Sequence, residues 1–163
     1  MFVNVMKNGS SSMAKVIKQV VIDQHQSNFW FTIVRDPFER FVSTMEFVKE
    51  TSGLDVNGVG ECFMKFPDNA PQKLFDQFCY FTPQKLFIQW YQSQFDIKFY
   101  SIENLEPLRR DLNNLSSKEV VIPHVNKTGR SASVQRWIEG NRNFIDNFLE
   151  QDYEWYNSLE IEK

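Results

Sequence analysis

The chain has no basic surplus, no long apolar run, and few cysteines or histidines. Its 18 lysines and arginines are outnumbered by 21 acids, for a formal charge of −3. A general nucleic-acid binder carries a cationic excess, so that class is excluded, while a local basic pocket for one phosphorylated ligand is not. No run approaches the roughly 18 apolar residues that span a bilayer. Cys62 and Cys79 lie far apart in the chain and share no metal-ligand spacing with His25 or His124. They read as reduced thiols of a cytoplasmic protein. The opening Phe2-Val3-Asn4-Val5 has no signal-peptide pattern and leads straight into a polar loop, so the core is expected to begin at once.

Aromatic residues are plentiful. Sixteen Phe among 163 residues point first to a Phe-rich core, and second to an aromatic-lined site for a ring-shaped ligand. The length suits a single domain, 1–163, able to bury about two-thirds of its unfolded surface.

Along the chain, Phe2–Met6 reads as a short strand and Ser11–Val21 as a helix, with Met13, Val16, Ile17 and Val20 at helical spacing. The unbroken apolar run Phe29–Val34 fits a strand buried on both faces. Asp36 before Pro37 predicts an N-cap, with Pro37 in the first helical position and Glu39 completing a capping box. Phe38, Phe41, Val42 and Met45 form the apolar stripe of that helix. Residues 51–70 carry Gly53, Gly58, Gly60 and Pro67 and read as a long loop or lid. Helices are expected over Pro71–Tyr80 and Pro83–Gln92, a strand over Ile97–Ile102, and a helix over Glu106–Leu115. A polar loop, Pro123–Ser133, precedes the C-terminal helices. Strands alternating with helices predict an α/β domain with a small, mostly parallel sheet flanked by helices in three layers.

Two loops carry candidate chemistry. Lys7-Asn8-Gly9-Ser10-Ser11-Ser12 lies between a strand and a helix, where Gly9 permits close backbone approach and free amides face an anion. A Gly-Ser turn that merely caps the helix would have the same sequence. Lys7 precedes Gly9, whereas a Walker loop places its Lys after the last Gly, which disfavours a standard magnesium ATPase or kinase. The second loop is Arg35-Asp36-Pro37-Phe38-Glu39-Arg40-Phe41-Val42-Ser43. Arg35 ends a buried strand, where open α/β sheets bind ligands and where its charge needs an anionic partner. For Arg40 the spacing favours an ion pair with Asp36 one turn back.

These segments resemble the sulfotransferase superfamily, in particular its carbohydrate type, which carries R-D-P-x-x-R-x-x-S. Arg35-Asp36-Pro37, Arg40 and Ser43 match that motif, and Phe2 to Ser12 is similar to the family's strand and 5′-phosphosulfate loop. Phe99 to Leu105 resembles its F-x-x-x-E-N-L segment, and Pro123-His124-Val125-Asn126-Lys127 its P-H-x-N-K/S segment. The four pieces occur in the family's order and are spread over most of the chain, between residues 2 and 127.

The resemblance implies a P-loop-like fold and transfer of a sulfuryl group from 3′-phosphoadenosine 5′-phosphosulfate to an acceptor hydroxyl, with sugars the favoured acceptors and no metal. It implies that Lys7, Asn8, Gly9, Ser10, Ser11 and Ser12 hold the 5′-phosphosulfate, with Lys7 also catalytic. Arg35 and Ser43 would hold the 3′-phosphate, and Lys127, Gly129 and Arg130 belong to a basic loop able to close over it or to form a solvated turn. The catalytic base is His25, His124 or a carboxylate; His25 is favoured by its place between the donor loop and the Arg35 strand, and His124 is alternatively a substrate contact. Glu103 and Asn104 read as capping and turn residues. Many eukaryotic members are Golgi-anchored, so a chain without an anchor looks like a bacterial or viral soluble form. The competing functions are a P-loop-like nucleotide kinase and a non-catalytic nucleotide- or glycan-binding module.

Overall fold

The computed structural model describes residues 1–5, 8, 13, 15–16, 29–65, 79–116, 118–123 and 129–162. Three strands, β1 (Trp30–Val34), β2 (Ile97–Ser101) and β3 (Ile161–Glu162), form a parallel sheet in the order β1-β2-β3. Trp30 pairs with Ile97 and Val34 with Ser101, while Phe99 pairs with Ile161. On the free edge of β1 the first residues run parallel to it through a bridge between Phe2 and Phe31. Val3 N–H bonds to the Phe31 carbonyl at 2.9 Å, and Thr32 Oγ1 to the Val3 carbonyl at 2.8 Å. Of the expected strand Phe2–Met6, the described residues 2–5 make a bridge at Phe2, and Met6 lies outside the described residues.

Six helices are described: α1 (Pro37–Ser52), α2 (Val56–Lys65), α3 (Gln84–Gln92), α4 (Glu106–Leu115), α5 (Ala132–Gly140) and α6 (Arg142–Asn157). A 3-10 turn spans Cys79–Phe81. Of the helix expected over Ser11–Val21, the described residues Met13, Lys15 and Val16 are helical; the rest of it, and most of Pro71–Tyr80, lie outside the described residues. None of the described helices is long and apolar enough to cross a membrane.

Side chains alternate across the sheet, and each face has its own core. Phe31, Ile33 and Tyr100 pack with Met13, Val16, Leu108 and Leu112 on one side. Val34, Ile97 and Phe99 pack with Val3, Val5, Ile88 and Trp155 on the other. A strand buried on both faces is the geometry that the run Phe29–Val34 requires, and it makes the domain a small parallel sheet between helical layers. A third core joins α1, α2, α5 and α6 through Phe41, Met45, Val59, Phe63, Trp137 and Ile145.

The expectation of a loop over residues 51–70 is corrected by α2 over Val56–Lys65, while residues 66–70 lie outside the described residues. Gly53 does end α1, with φ 72° in the left-handed region. Beyond it Val56, Val59 and Phe63 fall three and four residues apart and bury one helical face. Gly60 serves contact rather than flexibility: a Cβ there would lie 2.3 Å from the Trp137 ring. The glycines read as loop markers because the ring that requires one of them is 77 positions away in sequence. β3 also escaped the sequence reading, being two residues long.

Candidate functional site at the carboxyl edge of the sheet

Because the paired strands are parallel, the segments that follow them emerge at one edge. Val5 leads toward Asn8, Val34 toward Arg35, and Ser101 toward Glu103 and Asn104, with Ile102 N–H bonded to the Val34 carbonyl at 3.0 Å. Three of the four segments that suggested a family are therefore brought to one place, the usual ligand edge of an open α/β sheet.

The entry into α1 follows from local sequence. Asp36, with φ −47° and ψ 129°, caps the helix through Oδ1, which accepts the Glu39 N–H at 3.0 Å, and Pro37 takes a position that needs no donor. The Glu39 carboxylate reaches Arg130. Asp36 Oδ1 also accepts the Tyr153 hydroxyl at 3.4 Å. Burial, together with the charges of Glu103 and Asp36, raises the pKa of Tyr156 nearby. α6 thus closes one wall of the edge.

Beneath Arg35 lies a buried polar network. Asn8, 1% exposed, donates Nδ2 to the Ile33 carbonyl at 3.0 Å and to Gln84 Oε1 at 2.5 Å. Gln84 Oε1 also accepts the Arg35 N–H at 3.1 Å, and its Nε2 donates to the Arg35 carbonyl at 2.8 Å. Asp152 on α6 accepts from Gln84 Nε2 at 3.5 Å and from the Lys85 N–H at 3.3 Å. Two buried atoms, Asn8 Oδ1 and Arg35 Nε, have no partner among the described residues. Orphans of this kind are rare in folded proteins and mark a place where a ligand can complete the bonding.

Arg40 lies close by. It is 3% exposed, donates Nη2 to the Tyr80 carbonyl at 2.9 Å, and is pushed down to about 10 by burial. Asp152 opposes that shift and the charge of Arg35 adds to it. Asp152, rather than the expected Asp36, supplies the opposing charge at Arg40, because the Asp36 carboxylate is turned to its capping role. Two guanidinium groups thus repel one another at the exit of a buried strand. Ser43 is buried one helical turn beyond Arg40.

The remaining candidates divide. Arg130 pairs with Glu39 near the start of α1, in a largely solvent-exposed bridge, and Gly129 precedes it with open space around it. This bridge borders a cavity of about 400 Å³ between α1, α5 and the start of α6, lined by Phe38, Val42, Ile138 and Arg142 among others. Arg35 and Ser43 are not among its lining residues. Lys7, Gly9, Ser10, Ser11, Ser12, His25, His124 and Lys127 lie outside the described residues. Glu103 and Asn104 act as expected of turn residues: Glu103 accepts the Ser101 hydroxyl, and Asn104 Oδ1 accepts the Glu106 N–H at 3.2 Å.

Sequence reasoning missed Gln84 and Asp152. Both sit in amphipathic helical sequence among other polar residues, and only their burial, 0% and 1% exposed, sets them apart. Comparison of the chain with protein-family models, with curated proteins and with solved structures finds no match in any of the three.

Proposed function

We propose that this chain is a sulfotransferase of P-loop-like architecture, acting in the cytoplasm with 3′-phosphoadenosine 5′-phosphosulfate as donor and an acceptor hydroxyl, preferentially of a carbohydrate. The observation that carries the reading is the Arg35–Arg40 locus. Two guanidinium groups lie close enough for the charge of one to lower the pKa of the other. The buried Arg35 Nε, which has no partner among the described residues, would bond a ligand oxygen. A phosphate between them relieves the repulsion and engages that donor, and the planar fork of arginine suits phosphate oxygens. The resemblance of Arg35 to Ser43 to a 3′-phosphate motif makes that phosphate the donor's 3′ group.

In this reading Lys7 and Gly9 to Ser12 hold the 5′-phosphosulfate. The acceptor oxygen forms a bond to sulfur as the bridging S–O bond of the donor breaks, and 3′-phosphoadenosine 5′-phosphate leaves. Lys7 neutralises the charge that grows on the leaving oxygen, a contribution realised chiefly in the transition state. The acceptor proton passes to a base, for which His25 is the first candidate and His124 the second. Lys127, Gly129 and Arg130 form a basic rim for the 3′-phosphate, and Arg130 would exchange its exposed pairing with Glu39 for that anion at small cost.

Calorimetry without added metal tests the donor. Binding of 3′-phosphoadenosine 5′-phosphate far tighter than that of AMP is expected, and equal affinities would remove the assignment. Incubation with sulfur-labelled donor and a panel of sugars, lipids and phenols then tests transfer. Tight binding without transfer to any acceptor would indicate a non-catalytic module, and an absolute need for magnesium and ATP would indicate a kinase.

A further inference from the structure

Gln84 has no access to solvent, and a buried amide is costly unless its polar atoms are bonded. It meets that condition in one arrangement. Oε1 takes the Asn8 side-chain amide and the Arg35 N–H, while Nε2 reaches the Arg35 carbonyl and Asp152. A glutamine amide has two lone pairs and two N–H groups, so all four are used. Exchanging oxygen and nitrogen would set donor against donor at Asn8 and Arg35, so the orientation is fixed as well. The bonds to Arg35 are made to its backbone on both sides, which leaves the guanidinium for other partners. One side chain therefore ties together the segment after Val5, the exit of β1 and the C-terminal helix.

We infer that Gln84 is a positioning residue: by holding both backbone groups of Arg35 and the amide of Asn8, it fixes where the Arg35 guanidinium meets an anion relative to Asn8. Asp152 supports it from α6, bonding Gln84 Nε2 and the Lys85 N–H while opposing the charge of Arg40. The inference rests on the reading of Arg35 as a phosphate ligand.

The test is a double-mutant cycle followed by ³¹P NMR titration, which reads millimolar as well as micromolar binding. The parent, Gln84→Met, Arg35→Ala and the double variant are titrated with 3′-phosphoadenosine 5′-phosphate and, in parallel, with inorganic pyrophosphate. Gln84→Met is expected to weaken nucleotide binding about 10- to 100-fold in the parent, the range that follows from unpairing buried hydrogen-bonding groups. In the Arg35→Ala background the same change should cost less than about twofold, because its effect passes through Arg35. An equal loss in both backgrounds would mean that Gln84 is structural only and would overturn the inference. Gln84→Glu is the second variant: it keeps an oxygen for Asn8 and the Arg35 N–H but loses the donor to the Arg35 carbonyl, and it should show the same dependence on background. If neither Gln84 variant melts cooperatively, the inference is likewise overturned. A parent that binds pyrophosphate but not the nucleotide would remove the 3′-phosphate reading alone, and the cycle is then decided on pyrophosphate. A parent that binds neither would end both.

Discussion

At the carboxyl edge of the sheet Arg40 is 3% exposed, with its guanidinium on the Tyr80 carbonyl and Asp152 as its opposing charge. On the helical layer Arg130 meets Glu39, and Arg142 grips Asp146 at 2.8 and 2.9 Å, both in the open. The same side chain thus works under two regimes. Buried, it is fixed by neighbours that would be left unpaired without it, so a change at one position damages several. Exposed, it trades one hydrated partner for another at little cost, and such pairs contribute about 0–1 kcal/mol. Arg142 also lies 4.5 Å from the Phe38 ring centre, so its stem and charge cover an aromatic surface. The buried regime suits a site that must hold a fixed geometry, and the exposed one suits a rim that exchanges partners.

Turnover should separate the regions most sharply. His25→Ala is expected to lose about 10²–10⁴-fold in sulfuryl transfer if that imidazole is the base. Lys7→Ala should lose about 10²–10³-fold, the usual worth of one group that stabilises developing charge. Affinity for 3′-phosphoadenosine 5′-phosphate should change little in His25→Ala, and less than turnover does in Lys7→Ala. Near-normal transfer in His25→Ala, with collapse in His124→Ala at unchanged donor affinity, would move the role to His124.

Donor affinity comes next. Arg35 is half-buried, and Arg35→Ala should weaken nucleotide binding by about 2–5 kcal/mol if a bound phosphate buries the pair it forms with that side chain. Arg142→Ala, in the exposed region, should leave it unchanged. Similar losses in calorimetry would erase the distinction between the two regimes.

Packing distinguishes two glycines in the helical layer. Gly60→Ala forces a methyl against the Trp137 ring and should destabilise the fold by about 1–3 kcal/mol in denaturant melts. Gly140→Ala meets nothing within 4 Å and should be neutral or stabilising by about 0.4–1 kcal/mol.

A smaller effect belongs to Glu46 on α1. Burial pushes its carboxyl up, but the Ser131 N–H and hydroxyl and the Lys49 ammonium outweigh that and hold it below the ordinary 4.5. Its charged form therefore stabilises the fold above that ordinary value, and the contribution drains as pH falls through the depressed one. Melts of the parent should lose stability over that acid window, and Glu46→Gln should flatten this part of the profile. An unchanged profile would remove Glu46 as the tether between α1 and the segment that holds Arg130.

The least effect is expected at the surface. Arg142→Ala should cost about 1 kcal/mol or less in a melt, its ion pair and its contact with Phe38 taken together.

Legibility followed the range of the determining interaction. The cap at Asp36, the start at Pro37 and the span Glu106–Leu115 were readable because neighbours within four residues decide them. β1 was readable from an unbroken apolar run, whereas Gly53 was read only as part of a loop and its left-handed end to α1 came from the structure. Of the site, Arg35 was legible as a charge leaving a buried strand, while Asn8 was named only as one residue of an anion loop. Its lock onto Gln84 was invisible, since 76 positions separate the two.

By itself, then, the sequence determined the α/β class, the parallel character of β1 and the entry into α1. These rest on local periodicity, capping and residue order. Only the tertiary structure decided that residues 56–65 are helical, with Gly60 reserved for the Trp137 ring, and that Asp152 faces Arg40. It alone drew the Gln84 amide beneath Arg35, because a buried polar group must find its partners wherever in the chain they lie.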